Sequence, residues 1–380
     1  MTDEHIEKAY VHWLYQAAGM GSRGFLRGLE QFGTAQIIYD TARKERLEAK
    51  VSARYQDKAR RLQALAKSSE IKGILEEYER ILSRGISFVT VKESAYPRKL
   101  LRIGDAPYAL YYAGRLPVDE GRSIAVIGAR NCTEYGRYMA KEFGTVLAQA
   151  GVQIISGMAR GIDGIGQRAA LYAGGYSLGV LGCGVDVCYP RENREVYEQL
   201  LVKGGVCSEY PPGMEPRAVL FPPRNRIISG LCDGVLVIEA KGRSGTLITV
   251  DMALEQGREV YAVPGRATDA LSEGCNRLIR QGAQLVMSPE ELLEDLQAGL
   301  TGYMDQSVIG RQPILHLSGI RDKVFKILDF QPQSMERLQE AYKKAYGDSI
   351  AVPKLCYELL QLYAEGYAGQ ADGKYYFKKE

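Results

Sequence analysis

Six short apolar runs punctuate the middle of the chain: Ile124 to Ile127, Val152 to Ile155, Ser177 to Leu181, Val206 to Ser208, Val235 to Ile238 and Val260 to Val263. Runs of this length, bounded by glycine or polar residues, suit strands buried on both faces. Helical patterns follow most of them, and strand-helix-strand repeats close as a parallel sheet with helices on its faces. The core therefore reads as an extended, Rossmann-like α/β sheet. Ser87 to Val91 and Tyr108 to Tyr112 read as two further strands ahead of it, with Tyr96-Pro97 in the loop between them.

Ligands of such sheets gather at the carboxyl ends of the strands. Those ends here are Gly128-Ala129-Arg130, Ser156 to Gly161, Gly182-Cys183-Gly184, Glu239 to Thr246 and Pro264-Gly265, and nearly every one carries glycine. The first turn, GARNCTEYG, is not GxGxxG, and the second strand ends at Ser156 where a dinucleotide site would want an acid for the ribose. No GxxxxGK[ST] occurs, so neither an NAD site nor a P-loop ATPase is indicated.

The chemistry is densest between Phe221 and Gly265, where a basic loop, a buried strand and a glycine-opened helix follow one another. Ser244, Gly245 and Thr246 precede the apolar series Leu247, Val250, Ala253 and Leu254, which marks a helix N-terminus able to hold a phosphate. On the other side of the strand, Arg224, Asn225 and Arg226 stand beside Phe221 in a loop stiffened by prolines. Guanidiniums next to an aromatic face point to nucleic acid.

The 380 residues are too many for one ordinary core, so a main domain with smaller ones attached is expected. Apolar content of 46% and charged content of 25% are those of a soluble globular protein, and no apolar run is long enough to span a bilayer. The opening residues lack a signal-peptide pattern, and the seven dispersed cysteines, with no CxxC pair, read as reduced thiols in a cytoplasmic chain. No metal site and no cofactor are indicated. A net charge of only +3 means that nucleic-acid binding needs a local basic groove. The three histidines, His5, His12 and His316, leave the centre without histidine catalysis or ligation.

Residues 1–85 read as a helical domain, with Gly19 to Arg23 as a helix-hairpin-helix (SAM-like) turn between helices. Residues 86–298 form the core, 299–318 a linker and 319–380 three helices and a hairpin, the pattern of a winged helix. From Arg321 to Glu380 ten Lys or Arg face nine Asp or Glu, and the third helix offers only Lys354 to a groove. That balance fits a weak DNA reader or a protein-interaction module.

With these motifs in hand the chain resembles the DNA-processing protein A (DprA, also called Smf) family over essentially its whole length. The resemblance rests on Val126 to Arg130 with Tyr135-Gly136, Ser156 to Asp163, Ser208 to Pro211, Phe221 to Arg226, Glu239 with Ser244 to Thr246, and Val263 to Gly265, in that order. It implies a Rossmann-like core that binds single-stranded DNA, forms a homodimer and helps load the RecA recombinase during uptake and recombination of incoming DNA. Two positions depart from the family pattern: Gln167 stands where a His is usual, and Ala129 where Ser or Thr often precedes the arginine. Gln167 keeps hydrogen-bonding capacity but not a titrating ring.

The candidate site follows from both readings. Arg130, Arg224 and Arg226 would hold phosphates, assisted by Asn225, Arg160 and the turns at Gly128, at Ser156-Gly157 to Gly161 and at Ser244, Gly245 and Thr246, with Phe221 as a stacking surface. Asp163, Gln167 and Glu239 would orient these groups, and no residue is assigned to catalysis. The alternative is a nucleotide-binding or nucleotide-cleaving enzyme, since phosphoribohydrolases resemble this chain in placing a glycine-threonine turn at a helix N-terminus. KGRSGTLITVD, however, has Arg243 and Ser244 for their paired glycines, and Ile248 and Thr249 where their spacing leads to an acid.

Overall fold

The computed structural model describes residues 2–18, 32–44, 49, 51, 56–298, 319–329, 333–364, 367–371 and 375–378. The Gly19 to Arg23 turn and the 299–318 linker lie outside the described residues. The chain divides into two compact units, Met1–Asn131 with Ala140–Thr301, and Cys132–Met139 with Gly302–Glu380.

In the first unit, helices α1 (Asp3–Ala18), α2 (Ala35–Lys44), α3 (Gln56–Ser68) and α4 (Ile71–Ser83) precede the sheet. They bury Tyr10, Leu14, Tyr39 and Tyr78 in one core with Phe88 and Tyr111, which belong to β1 (Ser87–Thr90) and, after α5 (Arg98–Leu101), to β2 (Ala109–Gly114). The composition shift at Gly85 therefore marks a change of secondary structure inside one unit. Phe88 and Tyr111 lie 4.6 Å apart between ring centroids, His12 Nδ1 is 2.7 Å from the Tyr111 hydroxyl, and the Tyr15 hydroxyl accepts the Ala109 N–H at 2.9 Å, so the contact is aromatic with polar ties.

The alternation read from the sequence is present. β3 (Ser123–Ile127), α6 (Glu134–Gln149), β4 (Gln153–Ser156), α7 (Ile162–Tyr172), β5 (Ser177–Val180), α8 (Arg194–Lys203) and β6 (Gly205–Ser208) form one series. A second runs α9 (Phe221–Gly230), β7 (Gly234–Val237), α10 (Gly245–Glu255), β8 (Glu259–Ala262), α11 (Glu273–Arg280), β9 (Gln284–Leu285) and α12 (Pro289–Ala298). The nine strands lie in the order β1-β2-β6-β5-β4-β3-β7-β8-β9. Pairing from β6 to β9 is parallel throughout, whereas β2 runs antiparallel to β1 and β6. β3, β4, β5 and β7 are buried along their whole length, which is why they read as continuous apolar runs. β9, only two exposed residues long, was not legible.

One expected element is corrected. Phe221 to Arg226 is the first part of helix α9 and not a loop, with prolines in the first turn. A helix's first N–H groups have no intrahelical partner, so Pro222 and Pro223 remove nothing there and preset φ. The helix buries Ile227 and Ile228 against the sheet.

Because β3 leads through α6 to β4 on one side while β7 leads through α10 to β8 on the other, the neighbours β3 and β7 form a topological switch point. Their carboxyl-end loops splay apart and leave a crevice.

The second unit holds α13 (Ile320–Ile327), β10 (Gln333–Ser334), α14 (Met335–Tyr346), α15 (Val352–Ala364), β11 (Ala368–Ala371) and β12 (Tyr375–Lys378). Its strands pair antiparallel in the order β10-β12-β11, and Val324, Leu338, Leu355, Leu359 and Leu362 form its core. Among the described residues no helix is long and apolar enough to cross a membrane.

Candidate functional site

A cavity of about 660 Å³ opens at the switch point. One wall is the loop after β3, from Gly128 to Asn131; another is the loop after β7 with the start of α10, including Lys241, Ser244, Gly245 and Thr246; a third is α9 with Phe221, Arg224 and Asn225. Tyr189 and Asp163 also line it. Of the residues expected at the site, Gly128, Arg130, Phe221, Arg224, Asn225, Ser244, Gly245 and Thr246 line this cavity.

The base of the cavity is a buried polar network. Arg224, 6% exposed, donates through Nη1 to the Gly157 carbonyl at 2.9 Å and to the Val180 carbonyl. Its guanidinium fills the space above Gly157, where a Cβ would lie 2.6 Å from Nη2. Asp163 accepts the Gly157 N–H at 3.1 Å. Gln167 accepts the Met158 N–H at 3.1 Å and donates to Ser177 Oγ at 3.2 Å and the Leu178 carbonyl at 3.0 Å. Burial pushes the Asp163 carboxyl above its ordinary range, opposed by the Arg224 charge; burial likewise lowers Arg224. Asp163 and Gln167 thus fix the backbone of the turn at Gly157-Met158.

This network corrects several phosphate assignments. The N–H groups of Gly157 and Met158 are already taken by the side chains of Asp163 and Gln167. α7 begins at Ile162, and Gly161 serves a left-handed turn at φ 74° in which a Cβ would come 2.2 Å from the Ala129 carbonyl oxygen. Ser156 is buried and donates to the Val126 carbonyl at 2.7 Å. Arg226 does not line the cavity: it is buried, with Nη2 2.8 Å from Glu209 Oε2 and Nε 3.1 Å from Asp105 Oδ2. Arg160 lies outside the lining, paired with Glu192 at 3.5 Å, and Glu239 is buried and also outside it.

The groups left facing solvent are few and of one sign. Arg130 and Lys241 line the cavity and Arg243 adjoins Ser244; all three are exposed and form no hydrogen bond or ion pair among the described residues. Between them lies the N-terminus of α10. Ser244 takes the N-cap position with extended backbone but makes no side-chain cap, and its buried Oγ has no partner among the described residues. Thr246 Oγ1 donates to the Gly128 carbonyl at 3.2 Å, tying the two loops together. A Cβ at Gly245 would meet nothing within 4 Å, so packing does not demand glycine there, whereas close approach of a ligand to the backbone would. Tyr189 stacks on Phe221 with centroids 5.6 Å apart and planes 22° apart.

Tyr189, Asn131 and Lys241 are lining residues that sequence reasoning missed. Lys241 had a usable signal, a cation inside a strand-end loop already singled out; Tyr189 had none, because only the fold brings the loop after β5 to Phe221. Among the described residues no cluster of three His, Cys, Asp or Glu could hold a metal ion. An open helix N-terminus ringed by unpaired cations, with aromatic rings at one side, is equipped to hold phosphates joined to bases.

The model of a family described as DNA recombination-mediator protein A matches residues 87–297, which include every lining residue. Protein Smf of Escherichia coli K12 is 49% identical over 206 residues, covering 54% of this chain and 55% of that protein, so the chain matches about half of that relative's length. The structure of DNA processing protein A from Streptococcus pneumoniae superposes with a TM-score of 0.54 at 34% identity, covering 69% of this chain and 96% of that one. DNA processing protein A from Helicobacter pylori, whose structure concerns its single-stranded DNA binding mode, gives 0.51 at 27% identity, covering 56% and 97%.

Proposed function

The chain belongs to the DNA recombination-mediator protein A family, and from that membership and the groups left open in the cavity we propose that it is a single-stranded-DNA-binding recombination mediator and not an enzyme. One observation carries the reading: Arg130, Lys241 and Arg243 stand exposed and unpaired around the uncapped N-terminus of α10 at the switch point of the sheet. Phosphates would take these positions, and single strands would fit a walled cavity of this size better than a duplex. The carboxylates speak against hydrolysis. Asp163 lines the cavity but accepts the Gly157 N–H, and Glu239 is 3% exposed, so these two carboxylates do not form an acid-base pair over a bound phosphate or ribose.

Homodimerisation and the loading of RecA are proposed on family membership. Residues 319–380 are proposed to be a winged-helix module. Lys354, its expected groove contact, sits 2.8 Å from Glu358 Oε1, and Val352, Tyr357, Leu360 and Tyr363 on the same helix are exposed, which favours a protein partner over DNA.

The test is fluorescence anisotropy of one labelled oligonucleotide, single-stranded or annealed, with a parallel assay for free base released from nucleoside monophosphates. Single-strand preference without base release is the expected result; base release would return the enzyme reading.

A further inference from the structure

We propose that Tyr189 is the surface on which a base of the bound strand stacks, with Phe221 as its support; the inference rests on the cavity being a single-strand site. Phe221 is the aromatic that the sequence singles out, but its ring is already engaged. Gly182 lies so close that a Cβ there would be 2.6 Å from Phe221 Cδ1, and the Arg224 guanidinium carbon is 6.0 Å from the ring centroid. Tyr189 then stacks on it at 5.6 Å and 22°. Tyr189 is itself 40% exposed and lines the cavity. With one face spent on Phe221, that exposure belongs to its other face and edge, where a base would extend the same stack in the near-parallel geometry that π-systems favour.

The loop holding Tyr189 is tied down before any ligand arrives. The Tyr197 hydroxyl donates to the Val185 carbonyl at 2.6 Å, Asp186 accepts the Gly213 N–H at 2.7 Å, and the Asn193 amide donates to the carbonyls of Met158 at 3.0 Å and Ala159 at 2.8 Å. A ring held in this way loses little freedom on binding, so stacking contributes nearly in full. The Tyr189 hydroxyl makes no hydrogen bond among the described residues, which assigns the side chain's use to its ring.

The experiment titrates the full chain with labelled oligothymidylate and with an abasic strand of the same length, comparing wild type, Tyr189→Ala, Tyr189→Phe and Tyr189→Trp. Tyr189→Ala should weaken oligothymidylate binding about tenfold, leave abasic binding nearly unchanged and keep the wild-type salt slope, because no phosphate contact is lost. Tyr189→Phe should bind as wild type. Tyr189→Trp should show fluorescence quenched by oligothymidylate but not by the abasic strand, against a background from Trp13, which is 7% exposed. Equal losses on both strands, or no loss in Tyr189→Ala and no quenching in Tyr189→Trp, would overturn the inference while leaving the single-strand reading intact. Failure of the wild type to bind either strand would overturn that reading and the inference with it.

Discussion

The α9 wall of the cavity and the wall made by the loops after β3 and β7 carry the same kind of side chain in opposite states. On α9, Arg224 and Arg226 are buried and bound to carbonyls or carboxylates. Opposite them, Arg130, Lys241 and Arg243 are exposed and unpaired among the described residues. A buried guanidinium that has given its donors to the protein cannot also release counterions from a phosphate backbone, so the first group answers to stability and the second to salt. Density of arginine in a sequence therefore locates a site without saying which arginine touches the ligand.

The contrast breaks most directly at Arg226. Arg226→Ala would remove the guanidinium that meets both carboxylate oxygens of Glu209, whose side chain is 12% exposed. Unfolding in urea should show a loss of about 3–5 kcal/mol. A loss within about 0.5 kcal/mol, the ordinary range for surface changes, would mean that Arg226 is not a fold residue.

His12 extends the comparison to pH. Burial lowers its pKa from 6.5 to about 4, and its Nε2 has no partner among the described residues. The folded protein keeps it neutral while the unfolded chain takes up a proton as pH falls through 6.5, so its contribution is fully present above that value and is lost progressively toward pH 4. The loss should approach about 3 kcal/mol. Urea unfolding at neutral and mildly acid pH should show a flatter profile for His12→Gln than for wild type; identical profiles would remove His12 from the buried, pH-sensitive class.

Much of the fold was legible because its cause is local. Val235 to Val237 has no polar residue to show water, and the parallel strands repeat that pattern. Ser244 to Thr246 announced a helix start for the same reason. What was hidden depends on partners distant in sequence. Nothing near Arg224 reveals that the carbonyls of Gly157 and Val180 are waiting for it, and nothing near Arg226 reveals Glu209 and Asp105. The prolines of α9 read as loop residues because the same φ suits a loop and a helix's first turn. Gln167, read as a departure from a family pattern, turned out to be a buried tie between the turn at Met158 and strand β5.

The smallest effect on stability belongs to Arg130, and it carries the largest claim. The measurement is the salt dependence of single-strand affinity for wild type and Arg130→Ala, with urea unfolding of both proteins alongside. The account predicts unchanged stability, weaker binding at low salt and a log-log slope shallower by about 0.7, one phosphate's worth of counterion release on a single strand. Wild-type affinity and slope in a stably folded Arg130→Ala would contradict it and move the DNA away from the strand-end cavity.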